Sequence, residues 1–375
     1  MKTAREVAND LFNAFATEGM FNVSGRPSDT DMSLSPASTT DNFTSWALRD
    51  EDFAKMAFQA IGYEEGIENG GVVYVYSSKG SQKALAKVEK EVDEVPIRLR
   101  KLSPLSINPE QSLKSTNRPN VFLHGEGTRR ACGSSCAPSG AQFAGTMGAI
   151  IRQNEQLYVL SNNHVIGGCN HGFLDTIIMS PATGDSVLGI TPFEVGRLNK
   201  LCQLKSGDPF FIEPCVVDAA LARITNPDFV TSWQGDLENG YDTPENIVEP
   251  VARMKVKKFG RTTGLTHGFI ESKAIRFSKL PYKANGFNAT VYFSEFWFVV
   301  GEGNTPFALP GDSGSLVVTE DEKTAVGLIF AVGGQYACFT PLRRVLDELG
   351  GGSIVSGHGV QSNRSGSESV STTPE

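Results

Sequence analysis

The sequence predicts a domain built from β-strands that follows a smaller region of mixed helices and strands. From about residue 140, short apolar or alternating runs recur between Gly, Asn, Asp and Pro residues, about ten of them in roughly 200 residues with no long helical pattern between them. The first 105 residues instead alternate helical and strand-like patterns. The chain has 375 residues, of which 39% are hydrophobic, and this length suits two or three domains.

The N-terminal region, residues 1–105, is predicted to be a small α/β accessory or regulatory domain. Residues 3–19 place apolar side chains at helical spacing and end at a glycine, which indicates a first helix. The Ser/Thr/Asp-rich stretch 24–45 is typical of a loop. The patterns that follow predict a helix over 52–61, a strand over 72–77, a helix over 81–93 and a short strand over 96–100.

Three further domain boundaries are predicted from proline, glycine and serine residues, which interrupt regular secondary structure. Residues 106–139 are predicted to be a linker, because prolines are scattered among polar residues at their start. The β-rich domain is expected over 140–349, with a closing helix over 341–349 that begins at a proline and is followed by glycines. The polar, Ser/Gly-rich residues 350–375 are predicted to be a disordered tail.

Charge and composition exclude several partners and compartments. The net charge of −8, without a basic block, argues against nucleic acid as the main partner. The sequence has no apolar run long enough for a transmembrane helix, and acidic residues near the N-terminus argue against a secretory signal peptide. We therefore expect a cytoplasmic protein without membrane contact, whose six cysteines stay reduced and hold no structural metal.

Three local patterns in the β-rich region supply the groups needed for acyl transfer. YVLSNNHVIGG places His164 at the end of an apolar strand, VVDAALARI places Asp218 at the head of an apolar run, and FALPGDSGSLVV places Ser313 in a glycine-rich turn. Catalysis by serine needs a hydroxyl, an imidazole that takes its proton and a buried carboxylate that orients the imidazole. Each residue alone could be an ordinary turn or strand residue, but together, in the order His, Asp, Ser, they predict a catalytic triad.

These patterns resemble the motifs of trypsin/chymotrypsin-like serine proteases. Within that superfamily the similarity is closest to intracellular bacterial trypsin-like peptidases and plant narrow-leaf-type proteins. The resemblance covers about residues 140–349 and implies two six-stranded β-barrels, the first over about 140–235 and the second over about 250–340, with the active site between them. It rests on the segments AGTMGAIIR, LSNNHVIGG, VDAALARI, KFGRTTGLTHGFI and PGDSGSLVV.

The resemblance implies a role for each residue of the site. Ser313 would attack the scissile carbonyl, His164 would act as general base and then acid, and Asp218 would hold the imidazole tautomer. The backbone N–H groups of Gly311 and Ser313 would form the oxyanion hole. The implied activity is that of a serine endopeptidase that needs no cofactor or metal, acts on proteins or peptides and is restricted or regulated, with a regulatory partner at the N-terminal domain. The alternative is a catalytically silent binding or scaffold protein that keeps the protease fold.

Substrate preference is indicated by residues near Ser313. By resemblance, Phe307 falls near the floor of the specificity pocket, and Ile329, Phe330, Ala331 and Val332 line the wall beside the substrate. None of these side chains is acidic, so a small or apolar substrate side chain is expected rather than Lys or Arg. The alternative is that these side chains belong to the barrel core.

The sequence around Asp312 departs from the pattern of the family that it resembles, and the GRTTG segment adds a charged residue, Arg261, that needs a partner. In secreted relatives the Asp before the nucleophile pairs with a new N-terminus made by zymogen cleavage, but no Ile-Val-Gly-Gly segment precedes this barrel. We expect an internal cation or backbone donors to compensate Asp312, because a buried carboxylate without partners is unfavourable; cleavage within residues 127–144 is the alternative. Arg261 is expected to pair with a carboxylate in a structural turn.

Overall fold

The structure is a computed structural model, and the statements below concern the part of the chain that it describes. That part comprises residues 2–17, 58–66, 70–79, 90–105, 107–116, 118–125, 129–185, 189–209, 211–284, 286–303 and 305–360. The predicted loop over 24–45 lies outside these ranges, as do most of the helix predicted over 81–93 and the first part of the helix predicted over 52–61. No helix in the described ranges is long and apolar enough to cross a membrane.

Within residues 2–17, 58–66, 70–79 and 90–105, the structure has one helix and four strands. These are α1 (Ala4–Thr17), β1 (Phe58–Glu64), β2 (Val72–Ser77), β3 (Lys90–Val92) and β4 (Val95–Lys101). A capping box starts α1, because Thr3 Oγ1 accepts a hydrogen bond from the N–H of Glu6 while the Glu6 carboxylate accepts one from the N–H of Thr3.

The predicted helix over 52–61 is wrong in its described part, where residues 58–61 belong to β1. The end of the helix predicted over 81–93 is wrong as well, because residues 90–92 form β3. β1 is buried on both faces along nearly its whole length. A strand buried on both faces lacks the alternation that distinguishes strands from helices, so its short apolar run is ambiguous from sequence.

The middle of the chain forms eleven short strands and four short helices. The helical pieces are a 3₁₀ turn (Pro109–Gln111), α2 (Ser112–Ser115), α3 (Asn163–Ile166) and a second 3₁₀ turn (Pro227–Phe229). The strands are β5 (Leu123–His124), β6 (Arg129–Cys132), β7 (Ser135–Pro138), β8 (Gly145–Thr146), β9 (Ala149–Gln153), β10 (Gln156–Ser161), β11 (Ile177–Ser180), β12 (Phe193–Leu201), β13 (Ala220–Arg223), β14 (Val230–Gln234) and β15 (Tyr241–Asp242).

Antiparallel pairing curls the first large sheet into a barrel. Its strand order runs β25-β9-β10-β13-β12-β11-β7-β8, in which β25 (Ser353–Ile354) comes from the end of the described chain. Only Met147 and Gly148 separate β8 from β9, so the single segment 145–153 is hydrogen-bonded to β7 at one end and to β10 at the other. This segment therefore connects β8, at one edge of the sheet, with β9 near the other.

The last part of the chain forms the second barrel. Its elements are β16 (Asn246–Ile247), β17 (Lys255–Lys258), β18 (Thr266–Ala274), β19 (Phe277–Ala284), β20 (Phe287–Ser294), β21 (Trp297–Gly301), β22 (Leu316–Thr319), β23 (Thr324–Gly333), β24 (Tyr336–Pro341), α4 (Leu342–Glu348) and β25 (Ser353–Ile354). The order β17-β22-β23-β24-β21-β18 returns to β17, which pairs with β18, so six strands close a ring. The predicted fold class, a chymotrypsin-like all-β double barrel preceded by a smaller mixed region, is confirmed.

The N-terminal strands extend the sheet of the second barrel. β1 pairs with β18 through Gly62 opposite Ala274, and β2, β4 and β3 continue outward. A Cβ atom on Gly62 would lie 2.2 Å from Ser272 Oγ, so only glycine allows this approach. The ring of Tyr76 stacks on Phe298 of β21 with centroids 4.2 Å apart. The region predicted as a separate domain thus shares a hydrophobic core with the second barrel.

A long hairpin, β19–β20, leaves the second barrel between β18 and β21. Its two strands pair with each other over eight residue pairs. On one side, the N–H of Ile107 donates to the carbonyl of Pro281, and the N–H of Lys283 donates to the carbonyl of Ile107. On the other side, the N–H of Cys215 donates to the carbonyl of Tyr292. The hairpin therefore lies between the segment around residue 107 and the chain that leads to Asp218.

Two predicted boundaries are wrong. The linker predicted over 106–139 contains β5, β6 and β7, and β7 pairs with β11 of the first barrel. In the tail predicted over 350–375, β25 pairs with β9 and the N–H of Val355 donates to the carbonyl of Ile150, while residues 361–375 lie outside the described ranges. These strands are very short and rich in small residues, so they carry no hydrophobic period of their own.

We expect a double-mutant cycle to show that the N-terminal strands and the second barrel unfold as one unit. Tyr76→Ala and Phe298→Ala should each lower the free energy of unfolding by about 3 kcal/mol, because each empties a buried aromatic site. Since the rings stack, the loss of the double variant, measured by urea denaturation, should differ from the sum of the two single losses by about 1 kcal/mol. Val75→Ala, in a separate core cluster, is the control: its loss and that of Phe298→Ala should sum to the loss of their double variant. Additive losses for the stacked pair, with two separate transitions, would support an independent N-terminal domain.

Candidate active site

His164 and Asp218 meet at adjacent ends of two paired strands. β10 ends at Ser161, opposite Ala220 of β13, so α3 and the residues before β13 begin side by side. The Nδ1 atom of His164 lies 2.5 Å from Asp218 Oδ2, and the N–H of His164 donates to Asp218 Oδ1 at 3.1 Å. Both side chains are almost completely buried. The carboxylate therefore accepts Nδ1–H and leaves Nε2 as the free nitrogen of the imidazole.

A third donor to Asp218 comes from the hairpin and was not predicted. The hydroxyl of Tyr282 donates to Asp218 Oδ2 at 2.9 Å, and Tyr282 is fully buried. Burial and the charge of Asp218 raise the pKa of Tyr282 well above its usual value, so the hydroxyl keeps its proton and remains a donor. In sequence Tyr282 is one aromatic residue of a strand, and nothing local connects it with Asp218.

The two asparagines before His164 fix the surrounding loops. Asn162 donates to the carbonyl of Asp218 at 2.6 Å. Asn163 donates to the carbonyl of Cys202 and to the side chain of Asn170, both at 2.7 Å. These bonds link the loop that carries His164 to Asp218 and to the chain that precedes it.

The turn before Ser313 presents two backbone N–H groups to the same space. The carbonyl of Pro310 accepts a hydrogen bond from Thr262 Oγ1 at 2.8 Å, and the carbonyl of Asp312 accepts one from the N–H of Ser315 at 3.0 Å. In a trans peptide the N–H points opposite to the C=O, so the N–H groups of Gly311 and Ser313 point away from these partners. Neither N–H donates to another residue in the described part of the chain.

Glycine is required at position 311. Its φ angle is +103°, a conformation that side chains disfavour. A Cβ atom there would also lie 2.3 Å from Thr262 Oγ1, the atom that holds the Pro310 carbonyl. The orientation of the Gly311 N–H therefore depends on both the glycine and Thr262.

A cavity of about 210 Å³ brings the predicted site residues together. His164, Gly311 and Ser313 all line it, and so do Phe330, Ala331 and Val332. Part of the remaining lining comes from a segment that was predicted to be outside the catalytic domain, namely Ser103, Pro104, Ile107, Asn108 and Pro109. Among the described residues that line this cavity, His164 is the one with a titratable side chain.

Phe307 does not line this cavity and lies in the barrel core, which is the alternative that the sequence left open. Its side chain is fully buried in a core cluster of the second barrel, away from the cavity lining. Ile329 belongs to the same cluster. At position 307 the chain still runs through the barrel interior, because Thr266 Oγ1 of β18 donates to the carbonyl of Phe307. The chain reaches the cavity only at Ala308.

Asp312 is compensated from inside the second barrel. Its Oδ1 accepts the N–H groups of Thr262 and Thr263, and its Oδ2 accepts the N–H of Leu309 and the hydroxyl of Thr263. Lys258 Nζ lies 3.6 Å from Oδ2, and both side chains are fully buried. Burial lowers the pKa of Lys258, and the nearby charge of Asp312 opposes that shift. This carboxylate thus has both of the partners that were expected, backbone donors and an internal cation.

Arg261 pairs with a carboxylate, as the sequence predicts, and ties three segments together. Its Nε and NH2 groups form a bidentate pair with Asp185, at 2.8 and 2.5 Å. Its NH1 group donates to the carbonyl of Ser112, and its backbone N–H donates to Thr146 Oγ1. Arg261 is 1% exposed, so this pair is shielded from solvent. It fixes the turn that carries Thr262 against both the first barrel and α2.

Sequence and structure comparisons identify related proteins. Residues 242–340 match the family model of the Nal1 C-terminal domain. This matched range contains Ser313 but neither His164 nor Asp218. No curated protein is detectably similar in sequence to this chain.

Among solved structures, Thermobifida fusca Protease A is similar at 19% identity and a TM-score of 0.41 over 60% of this chain and 100% of its own. Nocardiopsis protease is similar at 16% identity and a TM-score of 0.39 over 60% of this chain and 97% of its own. Cellulomonas bogoriensis chymotrypsin is similar at 15% identity and a TM-score of 0.39 over 60% of this chain and 98% of its own. These TM-scores lie below 0.5, so the double barrel is established by strand pairing rather than by these similarities.

We expect Asp312→Asn to lower the free energy of unfolding by about 3 kcal/mol near pH 7, because it leaves Lys258 buried without its anion. Without Asp312 the pKa of Lys258 should fall further below its usual 10.5, so the unfolded variant binds more protons than the folded one over a wider pH range. Its stability should therefore rise with pH, and its deficit relative to the unchanged protein should narrow towards pH 10.

Urea denaturation at pH 7 and pH 9.5 measures this difference. Asp321→Asn, at an exposed carboxylate, is the control and should change the stability little at either pH. A deficit for Asp312→Asn that stays constant with pH would contradict the assigned pairing with Lys258.

Proposed function

We propose that this protein is a serine endopeptidase that hydrolyses peptide bonds through an acyl-enzyme on Ser313. The observation that carries this proposal is the convergence in one cavity of three elements of acyl transfer. A buried imidazole–carboxylate pair, a serine in a glycine turn and two unpaired backbone N–H groups all meet there. A binding protein that has lost activity has no need for all three.

The mechanism assigns each proton a place. Ser313 Oγ attacks the carbonyl carbon while His164 Nε2 takes the hydroxyl proton, and the N–H groups of Gly311 and Ser313 stabilise the oxyanion. When the C–N bond breaks, His164 returns the proton to the leaving amine. A water molecule then attacks the acyl-enzyme while His164 takes its proton. The ester bond to Ser313 breaks, His164 returns the proton to Ser313 Oγ, and a carboxylic acid is released. Asp218 stays ionised throughout and stabilises the imidazolium.

Two further residues act through these groups as positioning residues. Tyr282 holds the carboxylate of Asp218 from the hairpin, because its hydroxyl donates to Oδ2, the oxygen that also accepts from His164 Nδ1. Thr262 holds the Pro310–Gly311 peptide so that the Gly311 N–H faces the cavity. Both roles need hydroxyl donors that are fixed by surrounding packing.

The expected substrates are proteins or peptides with an uncharged side chain next to the scissile bond. Support comes from the cavity lining, which offers no acidic or basic partner apart from His164. We further infer that activity is restricted, because Ser103, Pro104 and Ile107–Pro109 line the cavity together with Phe330–Gly334. A cavity of about 210 Å³ has room for an exposed side chain but not for a folded chain.

A fluorophosphonate probe tests the proposal on the full-length protein. Labelling of the unchanged protein should be complete, and Ser313→Ala should abolish it, because the probe needs the activated hydroxyl. Ser103→Ala, which removes another hydroxyl at the same cavity, is the matched control and should label normally. Absence of labelling in the folded, unchanged protein would favour the catalytically silent scaffold.

We expect Tyr282→Phe to lower kcat by about 10-fold with little change in KM, since it removes a donor that orients Asp218 but contacts no substrate. The loss should therefore appear in kcat rather than in KM.

Tyr292→Phe removes a hydroxyl from the same hairpin without touching Asp218, and it should leave kcat unchanged. An unchanged kcat for Tyr282→Phe, or an equal loss for Tyr292→Phe, would mean that the Tyr282 hydroxyl does not position Asp218.

A further inference from the structure

Thr146, the last residue of β8, contacts both halves of the candidate active site. His164 follows β10 of the first barrel, whereas Ser313 lies in a turn of the second barrel, so their relative position depends on contacts between the barrels. Thr146 belongs to the sheet of the first barrel and is fully buried. Its hydrogen bonds run to the strand that precedes His164 and to the turn that carries Ser313.

The amide and the hydroxyl of Thr146 hold the serine turn. The N–H of Thr146 donates to the carbonyl of Ser313 at 2.8 Å, and Thr146 Oγ1 donates to the carbonyl of Gly311 at 2.9 Å. The same Oγ1 accepts the backbone N–H of Arg261 at 3.0 Å. Because that N–H can only donate, the hydroxyl proton of Thr146 is left for the Gly311 carbonyl.

The carbonyl of Thr146 holds the histidine side. It accepts a hydrogen bond from Ser161 Oγ at 2.8 Å, and Ser161 is the last residue of β10, three positions before His164. Gly314, with a φ angle of +93°, lies against this bond. A Cβ atom on Gly314 would lie 2.3 Å from the Thr146 carbonyl oxygen and 2.4 Å from Ser161 Oγ, so the serine turn packs directly on the two residues.

The two N–H groups that face the cavity belong to Gly311 and Ser313, and Thr146 binds the carbonyl of each. The donors of an oxyanion hole act when they lie about 2.7–3.1 Å from the developing charge. Rotation of the Gly311–Asp312 peptide would move the two N–H groups relative to each other, and the Thr146 hydroxyl opposes that rotation. The bonds of Asp312 secure the turn within the second barrel, whereas Thr146 places the turn against the first.

Resting on the proposed peptidase activity, we propose that Thr146 is a positioning residue that aligns the oxyanion donors and Ser313 with His164. Its hydroxyl fixes the Gly311 carbonyl, and its main chain ties the serine turn to the strand that leads to His164. Thr146 lies behind the turn rather than in the cavity lining. Its hydroxyl therefore acts on the transition state through the turn, without contacting a substrate.

Labelling of Ser313 by a simple alkyl fluorophosphonate measures this role as a second-order rate constant. Thr146→Val keeps the shape of the side chain and removes the hydroxyl, so it should lower the rate constant at least about 10-fold. Thr146→Ser keeps the hydroxyl and should stay within about 3-fold of the unchanged protein. Labelling of each variant should still go to completion, because the loss is in rate; a fraction that fails to fold would remain unlabelled.

Thr243→Val is the matched control. Thr243 is also fully buried, and its hydroxyl likewise donates to a backbone carbonyl, that of Ser232, and accepts a hydrogen bond, from Gln234. Because Thr243 lies outside the cavity lining, this change should lower the urea midpoint about as much as Thr146→Val and leave the labelling rate constant unchanged. Equal slowing by the two valine variants, or slowing that Thr146→Ser shares, would overturn the positioning role.

Ser161→Ala tests the histidine side of the same connection and decides the matter if Thr146→Val does not fold. It removes the donor to the Thr146 carbonyl and should also slow labelling, by at least about 3-fold. If the unchanged protein labels and Ser161→Ala and every folded Thr146→Val molecule label as fast, the positioning role fails and the proposed peptidase activity stands. If the unchanged protein does not label, both proposals fall.

Discussion

The carboxylate of Asp218 is the point at which the separate parts of this molecule meet. It accepts hydrogen bonds from the imidazole and the backbone N–H of His164, on the first barrel, and from Tyr282, on the hairpin of the second. A buried carboxylate must be compensated, and here no single element could do so. The loop of His164 and the hairpin must therefore both be in place before this carboxylate has all three of its donors, and the same arrangement orients His164 towards the cavity.

Asp312 is also a buried carboxylate that needs hydrogen-bond donors, but its donors come from one barrel rather than from two parts of the chain. Four hydrogen-bond donors and Lys258 surround it, and all of them come from the second barrel itself. The turn that carries Ser313 is therefore held by groups that are present as soon as this barrel folds. None of these groups comes from the N-terminal region or the first barrel. Control of the proposed activity is then more readily placed at access to the cavity than at assembly of the turn.

The N-terminal strands contribute to this access. They continue the sheet of the second barrel, and their chain passes directly into the segment that lines the cavity. Ile107 contacts the hairpin on both sides of Tyr282, while its neighbour Asn108 borders the space next to Ser313. Two consecutive residues thus contact both the hairpin that carries Tyr282, the donor to Asp218, and the cavity that contains Ser313. The N-terminal region is better described as a structural part of the proposed catalytic unit than as an appended module.

The sequence by itself determined the β-rich architecture and the three chemically distinctive residues, since His164, Asp218 and Ser313 lie in local patterns that identify them. It also determined that Asp312 and Arg261 need partners, because a buried charge demands one. Only the tertiary structure decided which partners these are, Lys258 with its neighbouring N–H groups for the first and Asp185 for the second. Tyr282 and Asn108 could not be predicted, because pairings between distant segments bring them to the site and no local pattern records such pairings. For the same reason the sequence left two alternatives open for Phe307, since its distance from Ser313 along the chain does not reveal that it lies in the barrel core.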